Sequence, residues 1–543
     1  MAMYQVRRWL EGGLGRWSRR ELLGGLPVLA GGLLPGRATA AAPPMRLGKE
    51  IYESIGVRPL INCKGTFTII SGSQTLPEVK RAMDDASRHY VHLDELMEAV
   101  GRRLAELTQA EWGIVTAGCA AALTLATAAS IAGGDPEKLQ RLPDLTGLKS
   151  EVIAPRYSRN VYDHAVRMLG VRMVTVNSIE ECERAFNDKT AMVMILAGPG
   201  DDGPLGIEPV SRIARRHGVP VLVDAAAEHL VIPNPHLGRG ADLVAYSGGK
   251  CLRGPQCAGL LLGRKDLVKA AWLHSAPHHA FGRSMKVGKE EIMGMLAAVE
   301  MWVRRDHEAE WRQWESWLET IARRVKKIDG VTTEVLQPQG LSNRSPRLRI
   351  HWDAAERGIT GAEVEKLLFE GDPRIVLGGS TGDRRWGGAS SITIMPYMMM
   401  PGEAEVVAER IYSVLARPPR HEAQAPAGPP VQIAGQWNAR LEFVLGSAEH
   451  RLIFEQDGST FVGTHIGEML SGDLRGFVEG DRVYFRSSQR YEGTRLEFDF
   501  AGRLEGEVLR GTVGLGQYGE ARWEARRHRY GGAGGPVRPI KNV

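Results

Sequence analysis

Residues 220–263 read PVLVDAAAEHLVIPNPHLGRGADLVAYSGGKCLRGPQCAGLLLG, and the fold class follows from this stretch. It holds three apolar runs, VPVLVDA (beginning one residue earlier), DLVAYS and AGLLLG, each of strand length and separated by turns bearing Gly and Pro. Runs rich in Val, Leu and Ala without polar alternation mark strands covered on both faces, as in a mostly parallel sheet. The polar residues fall at or just past the carboxyl ends: Asp224, Ser247 and, three positions on, Lys250. Open α/β sheets bind their ligands at that edge.

Moving outward, GIVTAG, EVIAP, RMVTV and AMVMILAG supply four more strands, with helix-sized segments at 179–186 and 208–217 between them. This alternation predicts an α/β unit with helices on both faces of the sheet. A Trp-rich helical stretch at 289–328 leads into RLRIHWD, a helix at 361–370, SSITIMPY and a last helix at 402–415, which together read as a smaller α+β subdomain. Residues 416–430, ARPPRHEAQAPAGPP, read as a semi-rigid linker. Beyond it, short alternating strands with turns at Asp457-Gly458 and Gly480-Asp481 predict a small antiparallel barrel or sandwich. The expected division is a large domain at 43–300, the subdomain at 301–415, the linker at 416–430 and an all-β accessory module at 431–530.

The bulk numbers set limits on partners. With 543 residues and 43% apolar content, the chain can bury more than one core. Its net charge of +5 is small and is not gathered into a basic stripe, so nucleic acid is excluded as the expected partner. Five scattered cysteines, at 63, 119, 182, 251 and 257, make neither a disulfide framework nor zinc-site spacing, and no metal is expected. Near the start, WSRRELLGGLPVLAGGLLPGRATAAAPP combines Arg19-Arg20, an apolar stretch from 22 to 34 and small residues at 38–40. These are the regions of a twin-arginine signal, expected to span 1–42 and be cleaved near Ala40. The apolar stretch is too short for a stable membrane anchor. A periplasmic protein that folds, with any cofactor, before meeting the export machinery is the expectation.

The chemistry lies in how three elements combine. A Schiff-base lysine must be partly desolvated, and a carboxylate must face a cofactor's pyridine nitrogen to keep it protonated; Lys250 and Asp224 fit those roles, with Ala226 beside the latter. A phosphate needs backbone N–H groups at a helix start, which Gly118, Cys119 and Ala120 offer in TAGCAAALTLATAASI, with Ser247 adding a hydroxyl. Together they point to pyridoxal 5'-phosphate (PLP).

On these motifs, SGGKCLRGPQCAGLLLG and VPVLVDAAAE, the chain from about 51 to 415 resembles fold-type I PLP enzymes of the selenocysteine synthase (L-seryl-tRNA selenium transferase) group, and more closely the D-glucosaminate-6-phosphate ammonia-lyase-like branch. The resemblance includes RPLINCKGTFT, where Asn62, Gly65 and Thr66 match, and GRSMKVGKEEI, where Arg283, Lys286 and Lys289 match a basic cluster near the substrate; it implies Asn62, Thr66, Arg283 and Lys286 as substrate contacts. It implies Lys250 as cofactor lysine and general base, Asp224 as ring-nitrogen partner, phosphate contacts at Gly118, Cys119 and Ser247, and a homodimer or larger even-numbered assembly. The implied reaction is α,β-elimination of the ammonia-lyase type on an amino acid or amino-sugar acid. A PLP-dependent aminotransferase or racemase, and an exported binding protein working through its β-module, are the alternatives. Tyr157 and Tyr162 are candidates to stack on the ring, His278 and His279 to lie near the mouth, and Arg374 to bind an α-carboxylate.

Overall fold

The computed structural model describes residues 44–384, 386–419 and 428–529; the expected signal at 1–42 and linker residues 420–427 lie outside the described residues. The chain divides into two compact units between Pro59 and Leu60. Of the first, residues 44–59 are described and hold a 3-10 turn at Glu53–Ile55.

The second unit begins with β1 (Leu60–Cys63), then β2 (Trp112–Thr116), β3 (Glu151–Pro155), β4 (Arg172–Val176), β5 (Thr190–Leu196), β6 (Val221–Asp224), β7 (Leu243–Ser247) and β8 (Gly259–Gly263). The last seven form one sheet in the order β2-β8-β7-β6-β5-β3-β4. Only β8 runs antiparallel to its neighbours. All seven strands were predicted from their apolar runs, and β2, β3, β6 and β8 are buried at each position because helices cover both faces. The helix Gly118–Ala132 is apolar nearly all round and packs inside this core.

A second sheet takes β9 (Thr332–Leu336), β10 (Arg347–Trp352), β11 (Arg374–Asp383) and β12 (Gly387–Ile394) in the order β1-β11-β12-β10-β9. β1 pairs parallel with β11, Asn62 opposite Val376, so the segment at 60–63 belongs to the smaller sheet and not to a large domain running from 43 to 300. Helices His307–Val325, Gly361–Glu370 and Glu403–Ala416 close its core around Leu348, Ile350, Ile375 and Ile392. The stretch expected as one helix at 289–328 is two, Lys289–Arg304 and His307–Val325, broken at Arg305-Asp306 where Asp306 caps the second.

The C-terminal module is a closed barrel of β13 (Gly435–Glu442), β14 (Ser447–Asp457), β15 (Thr460–Ile466), β16 (Ser471–Glu479), β17 (Arg482–Tyr491), β18 (Thr494–Glu505), β19 (Val508–Gly514) and β20 (Glu520–Arg527). Each strand pairs with the next, and β20 returns to β13, so no edge is left open. Alternate residues point inward; Trp437, Phe454, Phe485, Phe500 and Trp523 fill the interior, with Phe485 and Phe500 stacked at 4.2 Å. Gly458 and Gly480 take positive φ at the predicted turns. The β17–β18 hairpin meets the loop after β3: Glu492 pairs with Arg159, Arg167 lies 5.5 Å from the Tyr491 ring, and Gly493 sits against the backbone of Asn160. Trp386, from the β11–β12 turn, packs on Phe477 and under Arg486.

Candidate active site

Strand register gathers the predicted groups at one edge. Thr116 and Ser247 both pair with Gly259, and Asp224 pairs with Ala245, two residues before Ser247. Gly118 opens its helix with φ +85°, a conformation that L side chains resist, and the leading N–H groups of the helix have no intrahelical acceptor. A Cβ on Gly259 would stand 2.3 Å from Gly118 C and 2.5 Å from Cys119 N, so only glycine lets β8 approach this helix start. Ala120 is exposed there.

Asp224 is 2% exposed. Its Oδ1 accepts from Ala226 N (3.1 Å) and lies 3.8 Å from Cys119 Sγ; among the described residues Oδ2 has no hydrogen-bond partner. Burial pushes the Asp224 carboxyl above its usual range, opposed by the Ala226 N–H and by the charge of Lys250. Burial, then the neighbouring Asp224, holds the Cys119 thiol far above its usual range, so it stays neutral. Lys250 is half-buried, and among the described residues its Nζ makes no hydrogen bond or ion pair. Its turn is tied down by Gly254 N to Gly248 O (2.8 Å) and by the Gln256 amide nitrogen, 3.1 Å from Ser71 O and 3.2 Å from Gly249 O. The Ser247 hydroxyl has no partner among the described residues. Behind Asp224, Glu228 meets His236 at 2.6 Å, and Arg239 pairs with Asp201 at 3.0 Å. Asp201, Glu228 and His236 present oxygen and nitrogen atoms within 4.8 Å of one another, with Arg239 supplying positive charge.

These donors suit PLP. A buried carboxylate with one unused oxygen is costly unless a cation or N–H reaches it, and a protonated ring nitrogen would do so. A helix start with open N–H groups beside a free serine hydroxyl suits a phosphate dianion. A lysine amine without a carboxylate partner suits covalent attachment.

Other expected residues have different places. The Asn62 amide serves its own loop, accepting from Lys64 N and Gly65 N and donating to Gly65 O (2.9 Å). Thr66 Oγ1 lies 2.8 Å from Tyr397 OH. Arg283 and Lys286 are exposed, and their loop is anchored at Gly282 against Leu125, two turns along the helix from Gly118. Arg374 turns back on Phe369 O (3.0 Å) and the Phe369 ring. Tyr157 donates to Leu205 O (3.1 Å), its hydroxyl pushed up to about 12 by burial, and Tyr162 is exposed. His278 is spent on Trp272 O, Ser275 O and Asp94, away from the cluster, and the carbonyl of His279 accepts from Gln140. Sequence reasoning missed Gln256 and Tyr397; neither lies in a pattern that would single it out.

Comparison with known proteins agrees with this geometry. Residues 78–287 match the family Aminotransferase class-V. The D-glucosaminate-6-phosphate ammonia lyase of Salmonella typhimurium is 30% identical over 334 residues, covering 60% of this chain and 88% of that protein. The chain belongs to this lyase's family of fold-type I PLP enzymes. The 5'-C-glycyluridine monooxygenase-decarboxylase of a Streptomyces species is 32% identical over 340 residues, covering 60% of this chain and 83% of that protein. A solved structure of D-glucosaminate-6-phosphate ammonia-lyase superposes with a TM-score of 0.59 at 28% identity, covering 68% of this chain and 99% of that one.

Proposed function

We propose that this chain is a PLP-dependent lyase that expels the β-substituent of a 2-amino acid or 2-amino-sugar acid, giving a 2-oxo acid and ammonia. The observation that carries the reading is buried Asp224, with an open oxygen, at the same sheet edge as Lys250 and the free donors of Ser247 and the Gly118 helix start. When bound, PLP supplies an electron sink for charge left on the substrate's α-carbon. Gly118, Cys119 and Ala120 would hold its phosphate on backbone N–H groups, with the Ser247 hydroxyl on the same anion. Asp224, oriented by Ala226 N, would hold the proton on the ring nitrogen. Lys250 Nζ would hold the cofactor's aldehyde end and serve as the base that takes the substrate's α-proton.

The Salmonella relative's name supports elimination and an amino-sugar acid. The Streptomyces relative, at similar identity, favours a second reading in which a carboxylate leaves the α-carbon. Product analysis of purified enzyme with serine and D-glucosaminate-type acids separates them: ammonia and a 2-oxo acid in equal amounts support elimination, carbon dioxide supports decarboxylation, and an amine product with a 2-oxo acid co-substrate supports transamination.

Export through the twin-arginine route belongs to the same reading, because that route carries folded, cofactor-loaded chains. Substitution of Arg19-Arg20 by Lys-Lys is expected to retain the protein in the cytoplasm on cell fractionation; unchanged export would refute it. A homodimer is part of the reading too, supported by exposed Phe67 and Ile69 beside Thr66. Light scattering at a single-chain mass would contradict it.

A further inference from the structure

On the other side of the Lys250 turn lies a cavity of about 230 Å³, lined by His229, Cys251, Arg253, Arg305, Glu310 and Tyr397 and walled by Trp314 and Trp317. Among its described lining residues, two guanidiniums face one carboxylate. Arg305 has an 11% exposed side chain; only Nη2 is engaged, with Cys251 O (3.2 Å) and Glu310 Oε2 (3.3 Å), while Nε and Nη1 have no acceptor. Its guanidinium also lies 4.9 Å from the Trp302 ring. Arg253 spends Nε on Gln74 O (3.0 Å), and among the described residues its two Nη groups have no partner. Arg253 also takes φ +54°, a left-handed conformation uncommon outside glycine, three residues after Lys250. His229 adds no charge of its own: burial, then Arg344, His307 and Arg305, hold its imidazole down at about 4, so it is neutral. A buried guanidinium with two nitrogens unpaired, beside a second, partly buried one, calls for an anion.

One lining residue ties the cavity to a residue expected to touch substrate: Tyr397 OH is 2.8 Å from Thr66 Oγ1, 3.2 Å from Thr66 N and 3.1 Å from Asn343 Oδ1, so Thr66 is held by a side chain of this wall.

We propose that this cavity is an oxyanion subsite that takes a phosphate or carboxylate at the end of the substrate remote from its reacting carbon, with Arg253 and Arg305 as its cationic ligands and Glu310 limiting its affinity. It rests on the reading of Lys250 as the cofactor lysine. It assigns to Arg253 and Arg305 the basic role expected of Arg283 and Lys286.

The test uses the full chain loaded with PLP and treated with borohydride, so that the phosphate locus at Gly118 is filled, and titrates inorganic phosphate by calorimetry. One saturable site per chain is expected. Arg305→Gln and Arg253→Gln are each expected to weaken it about ten-fold or more, as for loss of a charged hydrogen-bonding group. Glu310→Gln is expected to tighten it several-fold, a gain that a misfolded variant would not give. Absence of phosphate binding, or equal binding in all variants, overturns the proposal. With untreated enzyme, phosphate should compete with a phosphorylated 2-amino-sugar acid, and Arg305→Gln should raise KM for that substrate more than for its unphosphorylated form. Phosphate that binds at Arg305 without competing overturns the assignment to substrate and identifies a free-anion site. If borohydride fixes no cofactor, the reading of Lys250 fails by itself, while the dependence of phosphate binding on Arg305 is still measured.

Discussion

Asp224 puts a carboxylate almost wholly out of water, 2% exposed, and the cost falls on the cofactor-free protein. Its raised folded value means that the native chain holds this proton more tightly than the unfolded chain, so stability falls as pH rises from the ordinary carboxylate value through the folded one. Asp224→Asn removes that penalty. Above the carboxylate range, the cofactor-free variant is expected to melt higher than cofactor-free wild type while binding PLP far more weakly; differential scanning fluorimetry with and without PLP checks both, and a variant that melts lower without cofactor would refute the argument. At Gly259 the outcome is steric. Gly259→Ala drives a methyl into the backbone of Gly118 and Cys119, and should cost about 1–3 kcal/mol of stability and lower phosphate affinity at the helix start. Asp224, Ser247 and Lys250 were legible in the sequence because each ends, or closely follows, a strand of one sheet, and the register does the rest. Asn62 and Arg283 matched motifs equally well, yet a linear match cannot tell whether an amide is consumed by its own loop or which way a loop faces. Arg305 joins Lys250 only through the break between two helices, which no periodicity announces.

At the scale of elements, the barrel contributes a joint and a buried polar chain. The β17–β18 hairpin holds the loop after β3 through Arg159, whose side chain pairs with Asp163 (2.5 Å) and with Glu492. A methyl on Gly493 would stand 2.1 Å from Asn160 O. Gly493→Ala is therefore expected to loosen this joint and speed proteolysis between the catalytic part and the barrel, without unfolding either. Inside the barrel, His450 Nδ1 meets His465 Nε2 at 2.7 Å, and His465 Nδ1 meets Ser487 Oγ at 3.0 Å, against the rings of Phe498 and Phe500. Burial, then His450, lowers His465 to about 3. The unfolded chain binds that proton first, so barrel stability should fall as pH drops from about 6.5 toward 3. His465→Gln should flatten this acid limb in a circular-dichroism titration, and an unchanged limb would contradict the argument. The strands seen in the sequence were those with continuous or strictly alternating apolar runs. β1, four residues long, and β9, an exposed edge strand, lack either signature, and β11 is interrupted by glycines where its pairing with β12 shifts register.

For the whole molecule, the central claim is that one sheet edge, built from residues 116–119, 224–226 and 247–250, holds PLP on Lys250. The barrel and the Arg253–Arg305 cavity are arranged around that edge, one bearing on the loop after β3 and the other on the turn after the lysine. Removing residues 428–543 should therefore alter KM more than cofactor content, since no barrel residue lies among the groups that would hold PLP. The most direct test is to add PLP to the purified full chain, reduce with borohydride, and locate the cofactor by peptide mass beside a Lys250→Ala variant. A visible absorption band that borohydride bleaches, with the cofactor mass fixed on the peptide containing Lys250 and both absent from the variant, is the predicted result. Cofactor that never binds, or that becomes fixed to another lysine while the variant retains the band, would contradict it.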